Sequence, residues 1–264
     1  MAFIFGCAPM ASNVIDSSQT VSHDKALSEE KMLLSAKDTA PFPVGERLVF
    51  SVRWLMIHAG EIVSEVKGVE DVHGRKAYRI EVTARTVGFC SKLYRIEDRY
   101  ISYMDVEELH TLRYEEHRRE GSYVRDAVTD FDQENHKARF KNFTDKSEKV
   151  YDIPEHVQDT VTAAYYARLL PLKVGRSFGI MAANSERVFD LFVAIPRIER
   201  VAGLSGKEED AFFLQPFAHC NGQKVREGKL HGFVSTGKGR EPLLIVIQAP
   251  VFTQVTAALV SVNQ

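Results

Sequence analysis

The chain has 264 residues, 44% of them hydrophobic and 27% charged, with a formal net charge of −2. That length suits one large domain or two small ones with a well-buried core, and the near-neutral charge removes the basic face that a nucleic-acid binder needs. No apolar run reaches the roughly 20 residues of a membrane-spanning helix, and three cysteines (Cys7, Cys90, Cys220) are too few for a disulfide-built scaffold.

The first element is Ile4-Phe5-Gly6-Cys7. It has the form of a bacterial lipobox, in which an apolar and a small residue precede the Cys that is cut and acylated. A complete signal adds a basic segment and an apolar run of about 7–15 residues. Only six residues precede Cys7 and none is basic, so residues 1–7 read as a partial signal whose true start lies upstream, or else as a chance match. Two or three acyl chains, at about 0.8 kcal/mol per buried methylene, would anchor a protein durably. Ala8 stands where an Asp would retain enterobacterial lipoproteins, so by that resemblance Cys7 points to the outer membrane. Residues 8–40, rich in Ser, Ala and charge, read as a flexible tether spanning roughly 30 Å, with a short helix near 25–36. Pro41 and Pro43 then open a single β-rich domain over 41–264.

From 46 to about 153 the apolar period is two. Leu48, Phe50, Val52, Trp54 and Met56 share one strand face; Tyr78, Ile80, Val82 and Ala84 share another; Tyr94, Ile96 and Tyr100 a third. Leu112 with Tyr114, then Tyr123, Ala127 and Phe131, continue the pattern. The turn sequences HAGE, DVHG, REGS and DQEN separate them, and no helical pattern intervenes, which predicts an antiparallel meander.

One helix is expected over 153–170. Asp152 and Glu155 have capping-box spacing, Pro154 sits in the first turn, and Pro171 and Gly175 close the segment. Its apolar stripe would be Val157, Val161, Ala164, Tyr165 and Leu169. Strands return at 176–183, 186–195, 198–202, 211–217, 229–235, 242–248 and 254–263.

Two charges break the apolar pattern. Asp98 is in phase with Tyr94, Ile96 and Tyr100, and Arg168 lies within the apolar arc of the helix. A lone buried charge is expensive, so each predicts the other, as an Asp98–Arg168 pair. That pair either locks the helix to the sheet or sets a cation at a pocket floor. His219-Cys220 is poor geometry for a thiol nucleophile, since strand neighbours face opposite ways. Cys90 and Cys220 are either two buried thiols or a bridge closing a loop of about 130 residues. No metal-ligand spacing, P-loop or nucleophile elbow is present, and no cofactor is implied.

Four segments together resemble a known family: "PVGERLVFSVRWLMIHAGEIV" (43–63), "YRIEDRY" (94–100), "QDTVTAAYYARLLPLKVG" (158–175) and "REPLLIVIQAPVFTQVTAALV" (240–260). They are similar, in order, to the bacterial domain of unknown function 3108. That resemblance maps Gly60, Asp98, Gln158, Asp159, Arg168 and Pro242 onto the family pattern. It implies an exported protein, often a lipoprotein, in agreement with Cys7. A Trp and an Asp usual near the final hairpin are replaced by Phe233 and Gly237, which puts any family ligand contact there in doubt.

The expected architecture is mainly β: a large curved antiparallel sheet or half-open barrel of about ten strands, with its one principal helix on the concave face. It resembles the carriers that move lipoproteins across the periplasm. The first functional expectation is a non-enzymatic lipoprotein of the cell envelope, facing the periplasm, that binds a lipid or other amphipathic ligand in a cavity walled by Phe50, Trp54, Tyr94, Tyr100 and Tyr165. The second is a scaffold that holds an envelope protein partner on its sheet surface. The third, an enzyme, would need a cluster of perturbed acids and bases in one cleft.

Overall fold

The computed structural model describes residues 41–184, 187–204, 206–220, 223–225, 230–248 and 254–263. A meander of long strands comes first: β1 (Arg47–Trp54), β2 (Ile57–Val72), β3 (Arg75–Thr86), β4 (Glu97–Asp105), β5 (Thr111–Glu120), β6 (Tyr123–Asp132), β7 (Lys137–Asn142) and β8 (Glu148–Asp152). One short helix, α1 (Gly88–Leu93), interrupts it. Helix α2 (Thr160–Leu169) follows. The second run contains β9 (Ser177–Asn184), β10 (Arg187–Ala202), β11 (Glu208–Cys220), β12 (Gln223–Val225), β13 (Leu230–Ser235), β14 (Pro242–Gln248) and β15 (Gln254–Asn263).

All strands join one antiparallel sheet in the order β8-β7-β6-β5-β4-β3-β2-β1-β15-β14-β13-β11-β10-β9, with β12 paired to β11 off this path. The first and last strands are neighbours, with Arg47 opposite Asn263 and Trp54 opposite Val255. The edges of the sheet, β8 and β9, therefore come from the middle of the chain, on either side of α2. They do not pair with each other. Instead, the segment between β8 and α2 runs along β9 as a single parallel bridge, the Gln158 N–H donating to Met181 O at 2.8 Å and the Ala183 N–H to Gln158 O at 2.7 Å. The Tyr151 hydroxyl on β8 donates to Asn184 O at 3.1 Å. The sheet is a barrel left open along one seam and stitched there by a few bonds, which blunts two edges that would otherwise template other strands.

Fifteen strands form among the described residues, against about ten expected, although residues 187–202 run as one strand across Pro196 rather than two; a register shift between Ala194 and Arg197 takes up the proline. The helix is shorter than expected. Residues 153–158 turn at Glu155-His156 and are then held by the β9 bridge at Gln158, so Asp152, Pro154 and Glu155 do not cap it. Asp159 does, accepting from the Val161 and Thr162 N–H groups, while the Thr162 hydroxyl closes a capping box. Ala164 consequently faces solvent; Val161, Thr162, Ala163 and Tyr165 are buried.

Antiparallel hairpins put alternate turns at opposite ends of the sheet. At the first end lie the β1–β2 turn, α1, the β5–β6 turn and the β7–β8 turn; at the second lie the β2–β3, β4–β5 and β6–β7 turns. Helix α2 fills the second half of the concave face. One buried cluster packs it against β2–β7, through Phe42, Val66, Ile80, Tyr114 and Phe131. Another packs it against β9–β13, through Ile180, Val193, Ile195, Leu214 and Val234.

Candidate functional site

The helix is locked into the concave face by polar groups. Asp159 is wholly buried, and its carboxylate accepts from the Ser102 hydroxyl (2.7 and 2.8 Å), the Thr111 hydroxyl (3.1 Å) and its two capping N–H groups. Burial raises its pKa, and these donors pull it back only in part. Tyr165 stands edge-on to Phe42 at 4.9 Å and shares a 2.8 Å hydrogen bond with Ser64 on β2.

Arg168 is buried as expected, but its partner is not Asp98. Its guanidinium makes a two-pronged contact with Glu46, at 2.7 and 2.6 Å, with 8% and 3% of the two side chains exposed. It lies 5.3 Å from the ring centroids of both Phe42 and Tyr165. The reason is positional: the C-terminus of α2 reaches the start of β1 at the second end, whereas Asp98 begins β4 at the first end.

Asp98 is nonetheless buried, and its needs are met locally. Its carboxylate accepts from the Tyr100 hydroxyl at 3.0 Å and the Arg119 N–H at 2.9 Å. Around it on the same face of β4–β6 stand Glu116, Arg118, Glu120 and Arg125. Arg118 contacts Glu120 at 2.6 Å and Arg125 contacts Glu116 at 3.4 Å, all four side chains less than a fifth exposed. Burial pushes the Asp98 carboxyl up, with the nearby Glu120 adding to the effect. For Glu120 burial acts in the same direction, but hydrogen bonds from Arg118 and Asp98 outweigh it and the net shift is downward. Burial, then the Asp98 charge, raises the Tyr100 hydroxyl far above its ordinary value. This cluster therefore holds one carboxyl biased towards its protonated form beside one held ionised.

The other walls of this half are apolar. Phe50 and Leu48 on β1 join Ala257, Leu259, Phe213 and Phe233 in a third buried cluster. The half of the barrel towards α1 is thus charged on one side and apolar on the other.

The five expected cavity walls divide three ways. Phe50 and Tyr100 line this half and are buried; Tyr165 is core under the helix. Trp54 and Tyr94 are rim residues, 37% and 51% exposed, not walls. Trp54 leaves the inward phase because the β1–β2 register shifts between Val52 and Arg53. Tyr94 follows α1, which breaks the alternation before β4, and its hydroxyl donates to Glu120 O. Cys90 in α1 is a buried free thiol, so the Cys90–Cys220 bridge is not formed. Cys7 and the tether lie outside the described residues. Among the described residues, no His, Cys, Asp and Glu cluster has a metal-holding arrangement. A shallow groove of about 330 Å³ on the outer face of β1–β3 is lined by Arg47, Glu61, Glu65, Lys67, Glu81 and Arg85, whose exposed ion pairs contribute little each.

Fold and site together define a class: a half-open, barrel-like antiparallel sheet with a helix plugging half of its hollow. The chain belongs to the family of proteins of unknown function DUF3108, whose model matches residues 49–259. Its fold is similar to that of a β-barrel-like protein of the domain of unknown function DUF1849 from Brucella abortus, with a TM-score of 0.53 at 10% identity, covering 83% of this chain and 97% of that one. More distant likenesses, both at a TM-score of 0.35, are to a presumed lipoprotein of Parabacteroides distasonis (9% identity, covering 86% of this chain and 100% of that one) and to a presumed exported protein of Bacteroides fragilis with a YmcC-like fold (6%, covering 85% and 98%). No curated protein matches the chain.

Proposed function

We propose that this chain is a cell-envelope lipoprotein, anchored through Cys7 and facing the periplasm, that binds an apolar or amphipathic ligand without catalysis. The observation that carries the ligand reading is the two-sided lining of the barrel half nearest α1. A charged cluster built on Asp98, Glu116, Arg118, Glu120 and Arg125 lies on β4–β6, and the apolar side chains of Phe50, Ala257 and Leu259 lie on β1 and β15 in the same half of the barrel. A few polar anchors set into a mostly apolar wall are what an amphipathic molecule needs, the head on the charges and the chain along the hydrocarbon. The sequence resemblance to a largely exported family supports export, the lipobox-like Ile4–Cys7 supports the anchor, and Ala8 favours the outer membrane.

The test is mass spectrometry of the full chain purified from its own membranes in mild detergent. The denatured protein is expected to carry acyl mass at Cys7, and the native protein to carry a non-covalent amphiphile that an Arg118→Met/Arg125→Met variant retains at least about tenfold less. An unmodified Cys7 in cytosolic protein removes the localisation. A native protein without any amphiphile, which also ignores added fatty acid, removes the ligand.

A further inference from the structure

The two ends of the barrel differ in a way that folding alone does not require. At the second end the β2–β3 turn (His73-Gly74) and the β6–β7 turn (Gln133 to His136) are polar, and the β4–β5 turn exposes Glu107 and Glu108 while its Leu109 is buried. At the first end the β1–β2 turn reads Trp54-Leu55-Met56-Ile57, with Leu55 56% and Met56 83% exposed. Helix α1 stands beside it, tied by the Val87 N–H to Ala59 O, and presents Phe89 and Leu93 at 69% and 65% exposure. Tyr94, Tyr123 and Phe143, on the neighbouring connections, are exposed at the same end. A soluble protein rarely leaves so many large apolar side chains uncovered at one end.

The turn is also costly. Leu55 has φ +55°, a conformation that two-residue hairpins normally give to Asn or Gly. A branched apolar side chain there loses backbone comfort and gains no burial in the fold. Such strain is kept where something outside the fold uses it.

The charge on the β1–β2 turn and α1 is one-sided. Residues 53–60 and 87–95 contain Arg53, Lys92 and Arg95 and no acidic residue. Arg95 pairs with Glu97, and Arg85 with Glu61. Arg53 donates to the Met56 carbonyl, and among the described residues neither Arg53 nor Lys92 forms an ion pair. Apolar and aromatic side chains at the tip with cations just behind them match a bilayer surface, hydrocarbon beneath an anionic headgroup layer.

We infer that the β1–β2 turn and α1 form a docking edge that enters the outer layer of an anionic lipid bilayer, independently of any acyl chain on Cys7. The barrel would then stand with the half that carries the Asp98 charge cluster towards the membrane.

Trp54 is the single tryptophan of the chain, so its fluorescence reports this edge alone. The experiment uses the full chain with Cys7→Ser, which cannot be acylated, and vesicles of equal parts phosphatidylcholine and phosphatidylglycerol. Expected are co-flotation, a blue shift of emission, protection from acrylamide and quenching by brominated lipid, all weaker with phosphatidylcholine alone and at high salt. In the Cys7→Ser background, the Leu55→Gly/Met56→Asn variant supplies residues that a two-residue turn with positive φ at its first position prefers, so it keeps or gains thermal stability while its partitioning falls at least about tenfold. Its unchanged fold separates lost docking from lost structure. A Cys7→Ser chain that stays in solution with unshifted emission overturns the inference. So does a Gly/Asn variant that floats equally well, or a blue shift that tracks protein concentration without lipid, which would mean a second copy covers the edge. The outcome is separate from the ligand reading, since the Arg118 and Arg125 substitutions leave this edge intact.

Discussion

Single residues in this protein show how far strand phase reaches as a guide. The rule that singled out Asp98 applies equally to Glu46, which is in phase with Leu48 and Phe50, to Glu116 and Arg118, in phase with Leu112 and Tyr114, and to Arg125, in phase with Ala127. All five turn inward. The charges inside the barrel were therefore legible; their pairing was not, because it depends on which end of the sheet the helix reaches. Removing one half of the buried pair leaves the other uncompensated, so Arg168→Met should cost about 3–5 kcal/mol in urea unfolding, while Glu46→Leu/Arg168→Met should recover much of that loss. Buried His110 gives a pH signature. Burial, the largest influence, lowers its pKa from 6.5 to about 4. The unfolded histidine takes up a proton as pH falls through 6.5, the folded one only near 4, so its contribution is complete above pH 6.5 and lost on acidification. That amounts to about 3 kcal/mol at most. Asp98 and Asp159, with raised pKa values, act in the opposite sense, favouring the fold as pH falls. The measurable quantity is accordingly the difference in unfolding free energy between the native chain and His110→Gln, which should narrow steadily from pH 7 to pH 4; a pH-independent difference would contradict the assignment.

At the scale of elements, the strands were readable because short polar turns break a clean alternation. Helix α1 was not, since six residues carry too little periodicity to be distinguished from strand. The start of α2 misled for another reason: Asp152-Ile-Pro-Glu155 has capping spacing, but tertiary pairing of Gln158 with β9 takes the backbone before the helix can. The real cap, Asp159, joins α2 to β4 and β5 at once. Asp159→Ala should therefore exceed an ordinary capping loss of about 1 kcal/mol and approach 3 kcal/mol, with hydrogen exchange rising first across residues 160–169. A second element-level constraint sits at Gly60, where β2 passes β3 so closely that an added Cβ would lie 2.4 Å from Arg85 O. Backbone cannot yield as a side chain can. Gly60→Ala should cost about 1–3 kcal/mol in thermal or urea unfolding and loosen α1, whose preceding Val87 N–H is tied to Ala59.

At the scale of the molecule, a mainly β, half-open sheet with a helix in its hollow was legible from period and turn chemistry, and the strand order was not. Order depends on which distant strands meet, and nothing local marks β1 and β15 as partners. The seam follows from that meeting. Bringing Arg47 opposite Asn263 closes a loop of nearly the whole body, an entropy cost on the order of 5 kcal/mol, before the centre of the sheet exists. Deleting β15 should hence abolish the cooperative transition, whereas cutting the chain between β8 and α2 should leave two fragments that reassociate, as circular dichroism of each preparation would reveal. For a chain synthesised amino end first, the arrangement sets a timetable. Its opening strand emerges early with one flank bare, and β15, the mate for that flank, appears only after every other described strand. Until then the bare flank is open to wrong partners, so correct folding rests on whatever shelters it in the interval.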